Sequence, residues 1–310
     1  MTTAARNLAV VLALSLSAGT VQAAARHDPP QSLPLGDGHV TQYPAAGNVF
    51  ACQTEFRNGA RHDGPWFHGV TWNPLEKPRV AGEILWPQAE LTVTHRGEVQ
   101  RVEGNSLPVG TPTGQFPITP DQPAYQYDTN PNRITEQALD FAIPAHPVRS
   151  ATPQCLPMGM IGFSVTGVAF YNALDDAGRD AAAHEIQDLC DGHPQGRGQY
   201  HYHSASSCIP GARDNVLAGW ALDGYPIMGM IDADGVQLRN ADLDDCHGRS
   251  ETVVIDGRTY DYAYRLTAEY PYVMGCFTGQ MLAETRTDIR DGMAPRQNGG
   301  RANRGRQRGR

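Results

Sequence analysis

The sequence predicts a mainly β protein, a single antiparallel, sandwich-like domain with one short helix. Three observations carry this reading. The 310 residues include 33 glycines and 23 prolines, a share that suits short strands and many turns better than long helices. The apolar runs are short and rich in β-branched and aromatic residues, as in Ile161 to Tyr171. Asp223-Gly224 and Asp256-Gly257 each separate two such runs, the pattern of a tight hairpin.

The elements follow in chain order. Arg6, the eleven-residue apolar run Leu8 to Ala18 and the small residues around Val21-Gln22-Ala23 read as a secretory signal over 1–23. The run is too short for a membrane span, which needs about 20 residues. The mature chain is therefore expected to be exported, to a periplasm or beyond. Residues 24–48, rich in Pro, Gly and Ala, read as an extended leader into a β-rich domain over 49–295. Within that domain, Glu90 to His95 and Val99 to Val102 flank a turn, and Asn105 to Pro131 is punctuated as loop. Asp175-Asp176 is placed to cap a helix over 177–189, with Ala182, Ile186 and Leu189 on one face. Val216 to Leu222 pairs with Tyr225 to Ile231, and Val253 to Ile255 with Arg258 to Tyr264. Residues 296–310 carry six Arg and no acid among Gly, Asn and Gln, and are expected to be a disordered tail suited to anionic envelope components.

Charge narrows the function. The chain has 25 basic and 33 acidic residues, a net charge of −8, with the tail's arginines already counted. A folded body this acidic is not expected to bind nucleic acid, which requires a clustered positive face. Its one lysine, Lys77, gives Schiff-base chemistry a single candidate in a Pro-flanked loop. Six cysteines, an even count in an exported chain, point to disulfides, with Cys52, Cys155, Cys190, Cys208, Cys246 and Cys276 open to several pairings.

The densest chemistry lies in Cys190-Asp191-Gly192-His193-Pro194, Tyr200-His201-Tyr202-His203 and Cys208. On a strand, His201 and His203 point to one face with Cα atoms roughly 6.5 to 7 Å apart, and Tyr200 and Tyr202 to the other. Two such imidazoles, joined by His193 from a neighbouring turn, make a three-ligand site for copper or zinc with a position open to water or substrate. Asp223 and Asp191 are the candidate proton acceptors for metal-assisted hydrolysis. Weaker candidates are the helix group His184, Glu185 and Asp188, the acidic trio Asp242, Asp244 and Asp245 for calcium, His62 and His68 as distant ligands, and an unpaired Cys190 as nucleophile. An α-carbonic-anhydrase-like site is disfavoured, because the next histidine after His203 is His247.

These motifs, followed by Gly219-Trp220-Ala221-Leu222-Asp223-Gly224-Tyr225-Pro226-Ile227, resemble the YHYH-domain family of exported, mostly bacterial proteins over roughly residues 155–280. The resemblance implies a domain type and no particular reaction. It also draws attention to a second copy: Cys246-His247-Gly248-Arg249 matches Cys190-Asp191-Gly192-His193, and Tyr262-Ala263-Tyr264-Arg265 matches Tyr200-His201-Tyr202-His203. The second copy lacks the histidines, unless His247 compensates from one position earlier. Each copy opens and closes with a cysteine, which suggests Cys190 with Cys208, Cys246 with Cys276, and Cys52 with Cys155. The expected function is an exported protein with one histidine-ligated copper or zinc site. The alternative is a metal-free envelope or surface binding module with structural histidines.

Overall fold

The computed structural model describes residues 31–57 and 63–285. The expected signal segment, the Arg-rich tail and His62 lie outside these residues. The chain is mainly β, and its centre is an eight-stranded sheet. In spatial order the strands are Gly192–Pro194, Tyr200–Tyr202, Ala169–Tyr171, Met160–Ser164, Leu217–Ala221, Pro226–Met228, Ala263–Arg265 and Gly248–Arg249.

This order reads the same from either edge, because the sheet is two related halves joined at an antiparallel seam where Phe163 faces Trp220. Gly162, Gly167, Leu174, Asp175 and Gly178 of the first half correspond to Gly219, Gly224, Ile231, Asp232 and Gly235 of the second. The local chemistry repeats as well. Asp175 Oδ1 accepts from the backbone N–H groups of Ala177 and Arg179, and Asp232 Oδ1 from those of Asp234 and Val236. Each half has a parallel join, Ala169 beside His201 and Ile227 beside Tyr264. Each ends in an antiparallel edge pair of the same register, Gly192 opposite Tyr202 and Gly248 opposite Tyr264. The internal repeat is thus longer than its Cys and Tyr motifs, and it includes both central hairpins.

A second, three-stranded sheet is built from Leu91–Arg96, Val99–Gly104 and Leu139–Pro144. It packs on the first through an edge-to-face contact of Phe141 with Phe163, ring centroids 5.8 Å apart. The hairpins at Asp223-Gly224 and Asp256-Gly257 form where the sequence places them, with positive φ at Gly224, Asp256 and Gly257. The segment read as a leader is woven in: Leu33–Pro34 pairs with Thr71–Trp72, and Val40–Thr41 with Val49–Phe50. Among the described residues no helix is long and apolar enough to cross a membrane.

The helix expected over 177–189 is only Ala181–His184, and its N-cap is Asp180 rather than Asp175 or Asp176. Tertiary donors explain the early stop. The carbonyl of Ala183 accepts from Trp66 Nε1, and those of Ala182 and Glu185 accept from Lys77 Nζ. Groups that would propagate the helix are thereby satisfied from outside it. Glu185 turns to an extended backbone, φ −88° and ψ 143°, and the chain leaves the helix axis.

Three disulfides, Cys52–Cys155, Cys190–Cys208 and Cys246–Cys276, join the pairs that the repeat suggests. Cys190 is therefore no free nucleophile. Buried tyrosine-to-aspartate bonds form a further set of ties. Asp188 accepts from Tyr200 Oη at 2.8 Å and from the N–H groups of Gly114, Cys190 and Gly192. Asp244 accepts from Tyr262 Oη and the N–H groups of Cys246 and Gly248, the same arrangement in the second half. Asp180 takes Tyr272 Oη, and Asp223 takes Tyr264 Oη.

Two outcomes follow for stability. Asp188→Ala leaves a buried hydroxyl and three backbone donors without their acceptor, so it should destabilise the protein by about 3 kcal/mol or more, measured by urea unfolding. Burial raises the Asp223 carboxyl from 3.8 to about 6, against the pull of its bonds to Tyr264, Gly279 and Tyr225. A folded-state pKa above the unfolded value means that the folded protein holds the extra proton between pH 3.8 and about 6. Stability from this group therefore falls as pH rises through that window, by at most about 3 kcal/mol. Asp223→Asn should flatten this part of the melting-temperature profile against pH.

Candidate metal centre

His193, His201 and His203 converge from one edge of the central sheet. His201 is the middle residue of Tyr200–Tyr202, and His193 lies directly opposite it on Gly192–Pro194. The third histidine thus comes from a paired strand rather than from the turn that the sequence suggests. His203 follows two residues after His201 and shares its face by strand alternation. Tyr200 is committed to the opposite side by its bond to Asp188. Gly192 makes that commitment possible, since a Cβ there would come 2.2 Å from the Tyr200 ring. All three histidines are buried, and one ring nitrogen of each lies within 4.8 Å of the others.

The imidazoles are oriented by backbone carbonyls. His201 Nδ1 donates to Gln199 O at 3.1 Å, and His203 Nδ1 donates to Asn172 O at 2.6 Å. Carbonyls only accept, so each Nδ1 carries a proton and each Nε2 is the atom left for a metal or a second proton. The two Nε2 atoms stand 3.0 Å apart. Facing lone pairs at that distance repel unless a cation, a proton or a metal ion, lies between them. His193 is buried with neither ring nitrogen in a hydrogen bond. Such a group calls for a missing partner. Tyr171 stacks on His201 with centroids 3.9 Å apart and holds its ring plane.

The carboxylate at this cluster is Glu185, whose Oε2 lies 3.2 Å from His193 Nε2 and 3.1 Å from His203 Nε2. Neither contact is aligned as a hydrogen bond. Ligand atoms on a metal at about 2.0 to 2.1 Å are themselves roughly 3 to 3.4 Å apart, the spacing of the two Glu185 contacts and of the His201–His203 pair, while the three histidine nitrogens together lie within 4.8 Å. Burial acts to raise the Glu185 carboxyl, but His193 and His203 hold it well below the usual carboxylate range. Burial acts to lower His203, and Glu185 outweighs it, so the imidazole keeps its proton to higher pH than an ordinary histidine. His201 is pushed well down by burial and by the charges of His193 and His203.

The other expected residues stand elsewhere. Asp191 is ion-paired with Arg79 at 2.6 Å, and Asp223 gives its oxygens to Tyr264, Gly279 and Tyr225, so both expected proton acceptors are committed to other partners. His247 does not join the cluster: Nε2 meets Thr267 Oγ1 at 3.1 Å, and burial drives its pKa down to about 3. His247 shares its positive φ with Asp191, its counterpart in the first half, because both occupy the same turn. His184 is held by Asp37 and Asp63, and His68 pairs with Glu76. Asp242, Asp244 and Asp245 cap separate backbone N–H groups, of Arg239, Cys246 and Ala46 respectively, and do not converge as calcium ligands. Glu185 is the residue that the helix reading misassigns, because an extended backbone at that position has no local signature.

In the second half the corresponding place is filled by charge. Arg265, the counterpart of His203, donates Nε and Nη2 to Glu251 at 2.6 and 2.7 Å. Its Nη1 donates to the carbonyls of Gly229 and Ile231. Gly229 is the counterpart of Asn172, whose carbonyl holds His203, so one acceptor serves imidazole in one half and guanidinium in the other. Arg249, the counterpart of His193, lies 3.7 Å from both Asp232 and Glu251. A permanent guanidinium replaces any need for a bound cation there.

No curated protein and no solved structure matches the chain. A family model does. The model described as YHYH protein matches residues 140–237, a segment that takes in all three clustered histidines, begins ahead of residue 155 and ends before the second copy's Cys246.

Proposed function

We propose that this protein binds one copper or zinc ion through His193, His201 and His203, with Glu185 as the adjoining carboxylate. The observation that carries the reading is the pair of Nε2 atoms held 3.0 Å apart by carbonyl bonds at both Nδ1 atoms. Imidazoles whose Nδ1 protons are held by backbone carbonyls and whose other nitrogens converge are the usual arrangement of a metal site. Imidazole suits both metals, and the carboxylate favours zinc over the softer copper(I). A metal so held supplies a Lewis acid and an acidified water. Glu185, in contact with two of the histidines and 22% exposed at its side chain, is the group placed to accept that water's proton in a hydrolytic reaction. It takes the role expected of Asp191 or Asp223. Lys77 positions it by donating Nζ to the Glu185 carbonyl at 2.6 Å. We also propose export of the chain behind a signal over 1–23, supported by three disulfides, which persist in oxidising compartments.

The test is elemental analysis of the mature protein, purified without a histidine tag and with its disulfides intact. About one equivalent of copper or zinc is expected in the native protein and none in His201→Ala/His203→Ala. Native protein that is metal-free and takes up neither added ion overturns the proposal. Glu185→Gln should keep binding but weaken it by about 10- to 100-fold, read by competition with a chromogenic chelator.

A further inference from the structure

Outside the histidine cluster a cleft of about 400 Å³ is bordered by Lys77, Arg79, Arg213 and Asp191. Two arginines stand here against one acid on a chain whose net charge is −8, while Lys77 turns its Nζ away to the Ala182 and Glu185 carbonyls and Gln187 Oε1. The rest of the wall is largely apolar, including Leu33, Leu189, Met230 and Ile231. Leu189 is 63% exposed at the rim. An apolar cleft of a few hundred Å³ with a small number of placed polar groups is the usual form of a small-molecule site. Arg79 donates through Nη1 to Asp191 at 2.6 Å and to the Asp188 carbonyl. Among the described residues its Nη2 has no partner, so part of the guanidinium fork remains for a ligand. Ser204 and Ser207 add hydroxyls to the same wall.

We infer that this cleft binds a small organic anion with an apolar body, an aromatic or acyl carboxylate, whose charge meets Arg79 and Arg213 and whose body lies along Leu189 and Met230. Charge complementarity selects the anion, and the apolar wall excludes a bare inorganic ion as the best occupant. The site does not depend on the metal reading, although its wall includes Asp191 and Ser204, the sequence neighbours of His193 and His203.

The test is isothermal titration calorimetry of the full mature protein with phenylpropionate and with its uncharged counterpart phenylpropanol. Saturable binding of the anion is expected, with the alcohol weaker by about tenfold or more, since a charge-assisted bond is lost. Leu189→Glu, at an exposed position that leaves the core intact, should weaken the anion by a similar factor by placing a like charge at the rim. Arg79→Gln should do the same. The His201→Ala/His203→Ala variant should bind phenylpropionate as the native protein does, which separates this site from the metal centre. No saturable binding, equal binding of acid and alcohol, or anion binding unchanged in both Leu189→Glu and Arg79→Gln would overturn the inference.

Discussion

The buried Asp188 carboxylate is the constraint on which the histidine edge of the sheet depends. It ties the strand of His201 to the turn that leads into the strand of His193, through Tyr200 Oη on one side and the N–H groups of Cys190 and Gly192 on the other. A charge taken out of water needs several donors to remain, and this one has four groups giving to it. The Cys190–Cys208 disulfide closes the same unit covalently. Inside that frame the Tyr200 side of the strand is fixed, so alternation fixes the histidine side as well. The three rings then have little freedom except to face one another.

The second half shows which part of this arrangement both halves share. Asp244, Tyr262, Gly248 and Cys246 reproduce the tie of Asp188, Tyr200, Gly192 and Cys190. The convergent positions differ: His193, His201 and His203 become Arg249, Ala263 and Arg265. Both halves collect a carboxylate at the place, Glu185 in one and Glu251 in the other. In the second half the positive charge is covalent, because a guanidinium stays protonated at any physiological pH. In the first half the imidazoles carry no permanent charge, and any positive charge has to come from a proton or a metal.

Glu185 reaches the cluster only because the helix before it ends early. Four residues after its cap at Asp180 the chain meets outside donors, Trp66 Nε1 and Lys77 Nζ, that take up carbonyls a longer helix would use internally. Both donors come from a part of the chain more than a hundred residues away. Local pattern favours continuation through Ile186 and Leu189, and tertiary hydrogen bonding overrides it.

By itself the sequence determined the β class, the hairpins at the two Asp-Gly turns, the repeat of Cys and Tyr motifs with the cysteine pairing it suggests, and the grouping of His193, His201 and His203. Each of these rests on short-range rules: residue alternation on a strand, positive φ at Gly, and fixed spacing within a motif. Only the tertiary structure decided that His193 lies on a strand opposite His201, that the halves of the sheet mirror each other about Phe163 and Trp220, and that Glu185 rather than Asp191 or Asp223 is the carboxylate at the cluster. The reason is physical: a buried carboxylate goes to whichever donors or bases the packed chain brings within about 3 Å, and those partners are set by contacts between residues far apart in sequence.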